Sequence, residues 1–375
     1  MPKVMNWQIG REMDYPYEGK RPETQFAMII DTNKCISCQT CTVACKTTWT
    51  SSRGQEYMFW NNVETKPYGF YPLGWDVNIL SRHGVQDISG PVYQGKTLFE
   101  SAPDGSMVLG YLPEDVDYAH PNISEDDSMG QLAQGAFLQM PHMQWMYYLP
   151  RICNHCTYPA CLAACPRQSI YKRPEDGIVL IDQSRCRGYR ECVRGCPYKK
   201  PFFNSITRTS EKCVGCYPAV EQGRQTQCTM TCIGKIRLQG FISPPGQERP
   251  ENPIDYLVRI AKVAKPLYPQ FGLEPNVYYI PPIHVPSPFL KQMFGADVEQ
   301  AQQTYRTAAD DKQLLAALLL FGATPSILHG FREQDGQAVG VDKKGSELVR
   351  VPFKEPIFVR PGFDEQFQTH RSNAT

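Results

Sequence analysis

The sequence predicts an α+β fold: two related halves, a large insertion, and a C-terminal extension. Three observations carry this. Eleven of the fifteen cysteines fall between Cys153 and Cys232, and the other four fall between Cys35 and Cys45. A strand-like run leads into a cysteine group twice: Phe26-Ala27-Met28-Ile29-Ile30 before Asp31-Thr32-Asn33-Lys34-Cys35, and Leu180-Ile181 before Asp182-Gln183-Ser184-Arg185-Cys186. The stretch from Thr47 to Pro150 has no cysteine at all.

Taken in order, residues 1–25 are charged and aromatic and read as a docking segment. Met1 to Pro22 lack the apolar h-region of a signal peptide, so none is expected. Residues 26–46 hold the first strand and cysteine run. Residues 47–150 read as an insertion with short strands of its own, a subunit interface whose aromatics (Tyr57, Phe59, Trp60, Tyr68, Phe70, Tyr71, Trp75) suit core or interface packing. Within 151–204, Ser169 to Arg173 and Ile178 to Ile181 flank Pro174-Glu175-Asp176-Gly177, the pattern of a hairpin. Residues 205–240 carry the last cysteine group. The extension, 241–375, is proline-rich, with helices expected at Ile254 to Ala264 and Ala308 to Phe321, and a tail from Glu355 that lies along a surface.

Composition excludes some classes. Lys plus Arg at 39 against Asp plus Glu at 38 gives a net charge of +1, with no electrostatic case for nucleic acid. The longest apolar run, Leu314 to Phe321, falls short of the roughly 20 residues of a membrane span.

The cysteines form four groups: Cys35-x2-Cys38-x2-Cys41-x3-Cys45, Cys153-x2-Cys156-x4-Cys161-x3-Cys165, Cys186-x5-Cys192-x3-Cys196 and Cys213-x2-Cys216-x11-Cys228-x3-Cys232. An odd total in CxxC units is not a disulfide framework. Structural zinc favours two CxxC pairs separated by a loop, which the first run does not offer. That run matches the bacterial ferredoxin pattern, in which three close thiolates bind one [4Fe–4S] cluster and the fourth cysteine serves another. Cys165-Pro166 and Cys196-Pro197 keep the proline that follows the fourth cysteine.

Each half is therefore expected to be a ferredoxin-like module of the bacterial 2[4Fe–4S] type, the two related by a pseudo-two-fold. Groups two and three, joined by the hairpin, form one pair, and groups one and four form the other. This assigns Cys35, Cys38, Cys41 and Cys232 to one [4Fe–4S] cluster, Cys45, Cys213, Cys216 and Cys228 to a second, and Cys153, Cys156, Cys161 and Cys196 to a third. Cys165, Cys186 and Cys192 remain, with Tyr189 where a fourth thiolate would stand. A missing ligand favours a [3Fe–4S] cluster. The expectation is three [4Fe–4S] clusters and one [3Fe–4S].

No catalytic motif accompanies these groups: no Gly-rich phosphate loop, no G-x-S-x-G and no H-E-x-x-H. His155 is read equally as a hydrogen-bond donor to cluster sulfur or as a spacer. Lys34, Lys46, Arg185, Arg187, Arg190, Arg194, Lys199, Lys200 and Lys212 crowd the cysteines, either raising cluster potentials and meeting a partner, or forming a solvated face. Electron relay is the function these features support. An independent polyferredoxin-like carrier is the alternative from another class, and a colourless zinc protein a third.

Four such groups, with an aromatic in place of one cysteine in the third, resemble the β subunit of respiratory nitrate reductase and its relatives among the molybdopterin enzymes, the type II dimethylsulfoxide reductase family. The likeness covers Phe26 to Gln239 and, more weakly, Asn276 to Pro282. Tyr189 separates the chain from the formate dehydrogenase and dimethylsulfoxide reductase β subunits, which carry one more cysteine. Met1 to Arg11 and Gly54 to Pro67 look most like nitrite oxidoreductase. The resemblance implies a non-catalytic subunit passing electrons between a bis-molybdopterin guanine dinucleotide α subunit and a haem b γ subunit or other respiratory carrier. It allows perchlorate, chlorate or selenate reduction, or ethylbenzene or dimethylsulfide oxidation, as alternatives to nitrite or nitrate. It further implies export, already folded, with a twin-arginine α subunit to the periplasm, the cytoplasmic face of the membrane being the alternative.

Overall fold

The structure, a computed structural model, describes residues 1–17, 19–67, 75–111, 145–354 and 362–371. Tyr68, Phe70 and Tyr71, and most of the tail from Glu355, lie outside the described residues.

The central element is the strand Gln25–Asp31, in which all seven residues are buried. It is flanked by Arg237–Ile242, antiparallel, and Val277–Ile280, parallel, and Lys265–Pro266 pairs antiparallel beyond the latter. Ile29 lies opposite Leu238 on one side and Tyr278 on the other. A strand covered on both faces needs apolar side chains of both parities, which explains the unbroken run Phe26 to Ile30.

Those parities separate two packed regions. Phe26, Met28 and Ile30 join the core that contains Cys41, Cys156, Cys196, Cys228 and Cys232. Ala27 and Ile29, with Leu238 and Tyr278, pack instead against Ile254, Leu257, Leu314 and Ala317. The sheet thus carries the cysteines on one face and C-terminal helices on the other.

The two expected helices exist with altered ends. The first is Pro253–Asp255 continued by a π-helical turn, Tyr256–Ile260. It stops there because Val263 N and Ala264 N both donate to Leu257 O, at 3.0 and 3.1 Å. The second runs Lys312–Leu319 after a 3-10 turn, Ala308–Asp310, because Asp311 caps it by accepting from Gln313 N and Leu314 N.

The insertion has its short strands: Asn62–Lys66 pairs antiparallel with Tyr147–Arg151. Arg151, Glu64, Lys66 and Asp76 form a buried ion cluster behind that pair, so each charge has a counter-charge. The hairpin Ile170–Lys172 with Val179–Ile181 is present, closed by Arg173 N donating to Ile178 O at 2.9 Å.

Two divisions drawn from the cysteine groups cut through elements. The hairpin Phe202–Asn204 with Thr209–Glu211 spans 204/205, and Arg237–Ile242 spans 240/241. The extension does more than pack outside, since it supplies two strands of the central sheet. A single core also gathers Val4, Phe26, Val63, Ile178 and Val277 from all the expected segments. No helix of the described residues is long and apolar enough to cross a membrane.

Candidate metal centres

The lead-in repeat is a repeat of backbone geometry. Asp31 Oδ1 accepts from Asn33 N at 3.0 Å, and Asp182 Oδ1 accepts from Ser184 N at 2.9 Å. Two residues after Cys35 the chain turns left-handed at Ser37 (φ 53°), and two after Cys186 it does so at Gly188 (φ 68°). Gln39 (φ 57°) and Arg190 (φ 65°) repeat the turn and open the helices Thr40–Trp49 and Glu191–Gly195. Cys41 and Cys192 sit on those helices one residue after their start.

A second motif recurs between groups two and four. The residue before the second cysteine is left-handed in both, His155 (φ 42°) and Gly215 (φ 62°). Beyond Cys165, Cys196 and Cys232, the third residue on (Gln168, Lys199, Lys235) is left-handed and donates its N–H to that cysteine's carbonyl. These reversals curl the backbone around each run.

All fifteen cysteines are free, and tertiary structure sorts them. Helix Thr40–Trp49 packs on Gln227–Met230, and Ala160–Ala163 packs on Glu191–Gly195, which brings group one to group four and group two to group three. Burial pushes the Cys35 thiol up to about 11, and negative charge on Cys41 and Cys232 pushes the same way. Exposed Cys38 lies on the same run. Burial also raises Cys45, with Cys213, Cys228 and Cys216 adding to it. Cys156 is raised by burial and then by Cys153, Cys196 and Cys161. Cys192 is raised by burial to about 11, with Cys165, Cys186 and Cys196 adding to it. The neighbourhoods adjoin: Cys41 and Cys45 share one helix, Cys213 is raised by burial and then by Cys153, and Cys161 by burial and then by Cys196, Cys153 and Cys192.

The fourth neighbourhood is a small cavity lined by Cys165, Ser169, Cys186, Tyr189, Cys192 and Ser210. Tyr189 is 60 % exposed at its rim.

This donor set fits clusters better than single ions. Members of a set sense one another's charge, yet among the described residues no three Cys, His, Asp or Glu side chains converge to hold one ion, as tetrahedral zinc with ligands at about 2.3 Å requires. Donors are also aimed at sulfur. Ser169 N, Ser210 N and Gly215 N each point at a thiol, those of Cys165, Cys186 and Cys213, at 3.4 Å. Trp49 Nε1 donates to Cys216 Sγ at 3.3 Å. Such donors favour the ionised thiolate.

The cations near the cysteines divide. Lys34 pairs with Asp31, Arg190 lies over the Phe203 ring and Lys46 over Phe59. Lys199, Lys200 and Lys212 are buried. Burial lowers Lys199 and Lys200 to about 7. Arg237, fully buried with Nη2 donating to Cys41 Sγ at 3.4 Å, was not expected from the sequence. Its signal was there: one cation in an apolar strand, five residues after Cys232. Trp49 carried none.

His155 is buried, with Nδ1 accepting from Val179 N at 3.1 Å. Its Nε2 has no partner among the described residues, and burial keeps the ring neutral. The neutral tautomer therefore carries its proton on Nε2, free to donate.

Comparison with known proteins fits this geometry. Residues 144–241 match the family described as "4Fe-4S dicluster domain". The chain is 42 % identical to the selenate reductase subunit beta of Thauera selenatis, over 75 % of this chain and 90 % of that protein. It is 41 % identical to the dimethylsulfide dehydrogenase subunit beta of Rhodovulum sulfidophilum, over 77 % and 92 %. With the respiratory nitrate reductase subunit beta of Haloferax mediterranei the identity is 40 %, over 75 % and 84 %.

Proposed function

The chain belongs to the family of iron–sulfur electron-transfer β subunits found in selenate, chlorate, perchlorate and nitrate reductases and dimethylsulfide dehydrogenase, and from that premise we propose that it wires a molybdopterin catalytic subunit to a haem b subunit or other respiratory carrier. The observation that carries this reading is that helix packing brings the first cysteine group onto the fourth and the second onto the third, with all fifteen thiols free.

Cys35, Cys38, Cys41 and Cys232 would hold one [4Fe–4S] cluster, Cys45, Cys213, Cys216 and Cys228 a second, and Cys153, Cys156, Cys161 and Cys196 a third. Cys165, Cys186 and Cys192 would hold a [3Fe–4S] cluster beside Tyr189. Bound there, the clusters supply one-electron redox centres. The chain's residues order the thiols: left-handed turns reverse the backbone within or just after each run, N–H donors face the sulfurs of Cys165, Cys186, Cys213 and Cys216, and the central sheet packs against them. The repeated lead-ins support two modules related by a pseudo-two-fold.

Nitrite oxidation or nitrate reduction is the substrate reading, supported by the likeness of Met1 to Arg11 and Gly54 to Pro67 to nitrite oxidoreductase. The thiols must be loaded before oxidation pairs them, which supports assembly in the cytoplasm and export, folded, with a twin-arginine catalytic subunit. Iron and sulfide analysis of the purified complex tests the ligand sets. About 15 irons per chain and a [3Fe–4S] resonance in the oxidised protein are expected; about 16 irons and no such resonance overturn the three-thiol set. Gel filtration tests the partnership: a lone chain with full activity as a donor overturns it in favour of a polyferredoxin-like carrier.

A further inference from the structure

Two of the buried cations stand between thiol sets rather than beside one. Arg237 has no exposure. Its strand neighbour Leu238 packs on the helix side of the sheet, so the alternation of a strand sends Arg237 to the thiol side. There Nη2 reaches Cys41 Sγ at 3.4 Å and Asn61 Oδ1 at 3.1 Å. The thiols nearest in effect are Cys41, Cys232 and Cys35 of the first set and Cys228 of the second. Lys212 is 3 % exposed. Its ammonium donates to Val179 O and to Cys213 O at 2.9 Å, and negative charge on Cys153, Cys161 and Cys213 offsets the cost of its burial. Cys153 and Cys161 belong to the third set and Cys213 to the second.

Neither cation has a carboxylate within ion-pair distance among the described residues. Buried Arg151 has Glu64, and Arg21 has Glu274. Glu211, next to Lys212 in sequence, gives its carboxylate to Gln55 and Asn204. A buried charge without a counter-ion is not tolerated, so the sulfur ligands must supply the negative charge.

Building on the cluster assignment above, we propose that Arg237 and Lys212 are charge bridges, Arg237 between the first and second sets and Lys212 between the second and third, each raising the reduction potentials of both clusters it separates. Reduction adds one negative charge to a cluster, and a fixed cation in a low-dielectric interior favours that reduced form. A cation shared by two neighbours lifts both, and leaves the step between them nearly level.

Potentiometric titration followed by electron paramagnetic resonance, on the chain in its native complex, tests this with Lys212→Met and Arg237→Gln beside Lys212→Arg and Arg237→Lys. In Lys212→Met, the reduced-to-oxidised ratio of the second and third clusters at fixed potential falls about tenfold, a shift of about 59 mV for a one-electron couple. The first and fourth clusters stay put. Arg237→Gln moves the first and second instead, and the charge-keeping variants restore native values. Asn61→Asp, which places a carboxylate on Arg237 without removing it, lowers the same pair as Arg237→Gln and decides the matter if the larger changes prevent loading. Full iron content with unmoved potentials, or an equal shift in all four clusters, overturns the bridges. Low iron in the unaltered chain overturns the cluster assignment itself.

Discussion

Tyr189 occupies in its run the place that Cys38 occupies in the first: each follows a left-handed residue, Gly188 or Ser37, and precedes another, Arg190 or Gln39. The backbone around Tyr189 is thus already shaped to present a ligand, and only the side chain differs. Tyr189→Cys is predicted to complete a fourth corner. Iron should rise from about 15 to about 16 per chain, the [3Fe–4S] resonance should vanish, and that centre's potential should become more negative. An unchanged spectrum would sink the assignment of Cys165, Cys186 and Cys192 to one cluster.

Gly188 is the more constrained of the two equivalent turn residues. A Cβ there would stand 2.5 Å from Arg208 O, at a φ of 68°. Gly188→Ala should cost at least the roughly 1–2 kcal/mol of left-handed strain, seen as a lower urea midpoint and early loss of the fourth centre. Ser37→Ala, at the matching turn, already carries a Cβ and should cost far less. Equal losses at both positions would show that the Arg208 contact is not limiting.

Burial depresses His83 from 6.5 to about 4. Its ring nitrogens have no partner among the described residues, and its edge meets Phe271, the centroids 5.6 Å apart. A base with a depressed folded pKa binds its proton better when unfolded, so this contribution is complete above pH 6.5 and is lost as pH falls from there towards 4. Between pH 7.5 and 5.5 the native chain should lose about 1.4 kcal/mol more than His83→Phe. His155, also held neutral by burial, is common to both chains and cancels. Parallel pH profiles would show that His83 stays hydrated.

Much of the site was legible because cluster-binding runs are local. Spacings of two and three residues dictate where the backbone reverses, so the groups, the hairpin after Cys165 and the lead-ins at Asp31 and Asp182 could be read in order along the chain. The helix ends were less so: the Asp311 cap and the bonds to Leu257 O decide them. The division at 240/241 cuts the strand Arg237–Ile242 and that at 204/205 falls in the turn of a hairpin, because cysteine spacing says nothing about strands.

What the sequence alone determined is the donor inventory: fifteen thiols in four runs, one tyrosine where a thiol would stand, and chain reversals at fixed offsets from them. Tertiary structure decided that Val277–Ile280 enters the central sheet and that Arg237 and Lys212 lie among the thiols. The reason is range. Ligand spacing follows from a few consecutive dihedral angles, whereas a counter-charge between sets depends on strands and helices far apart in sequence closing on one core.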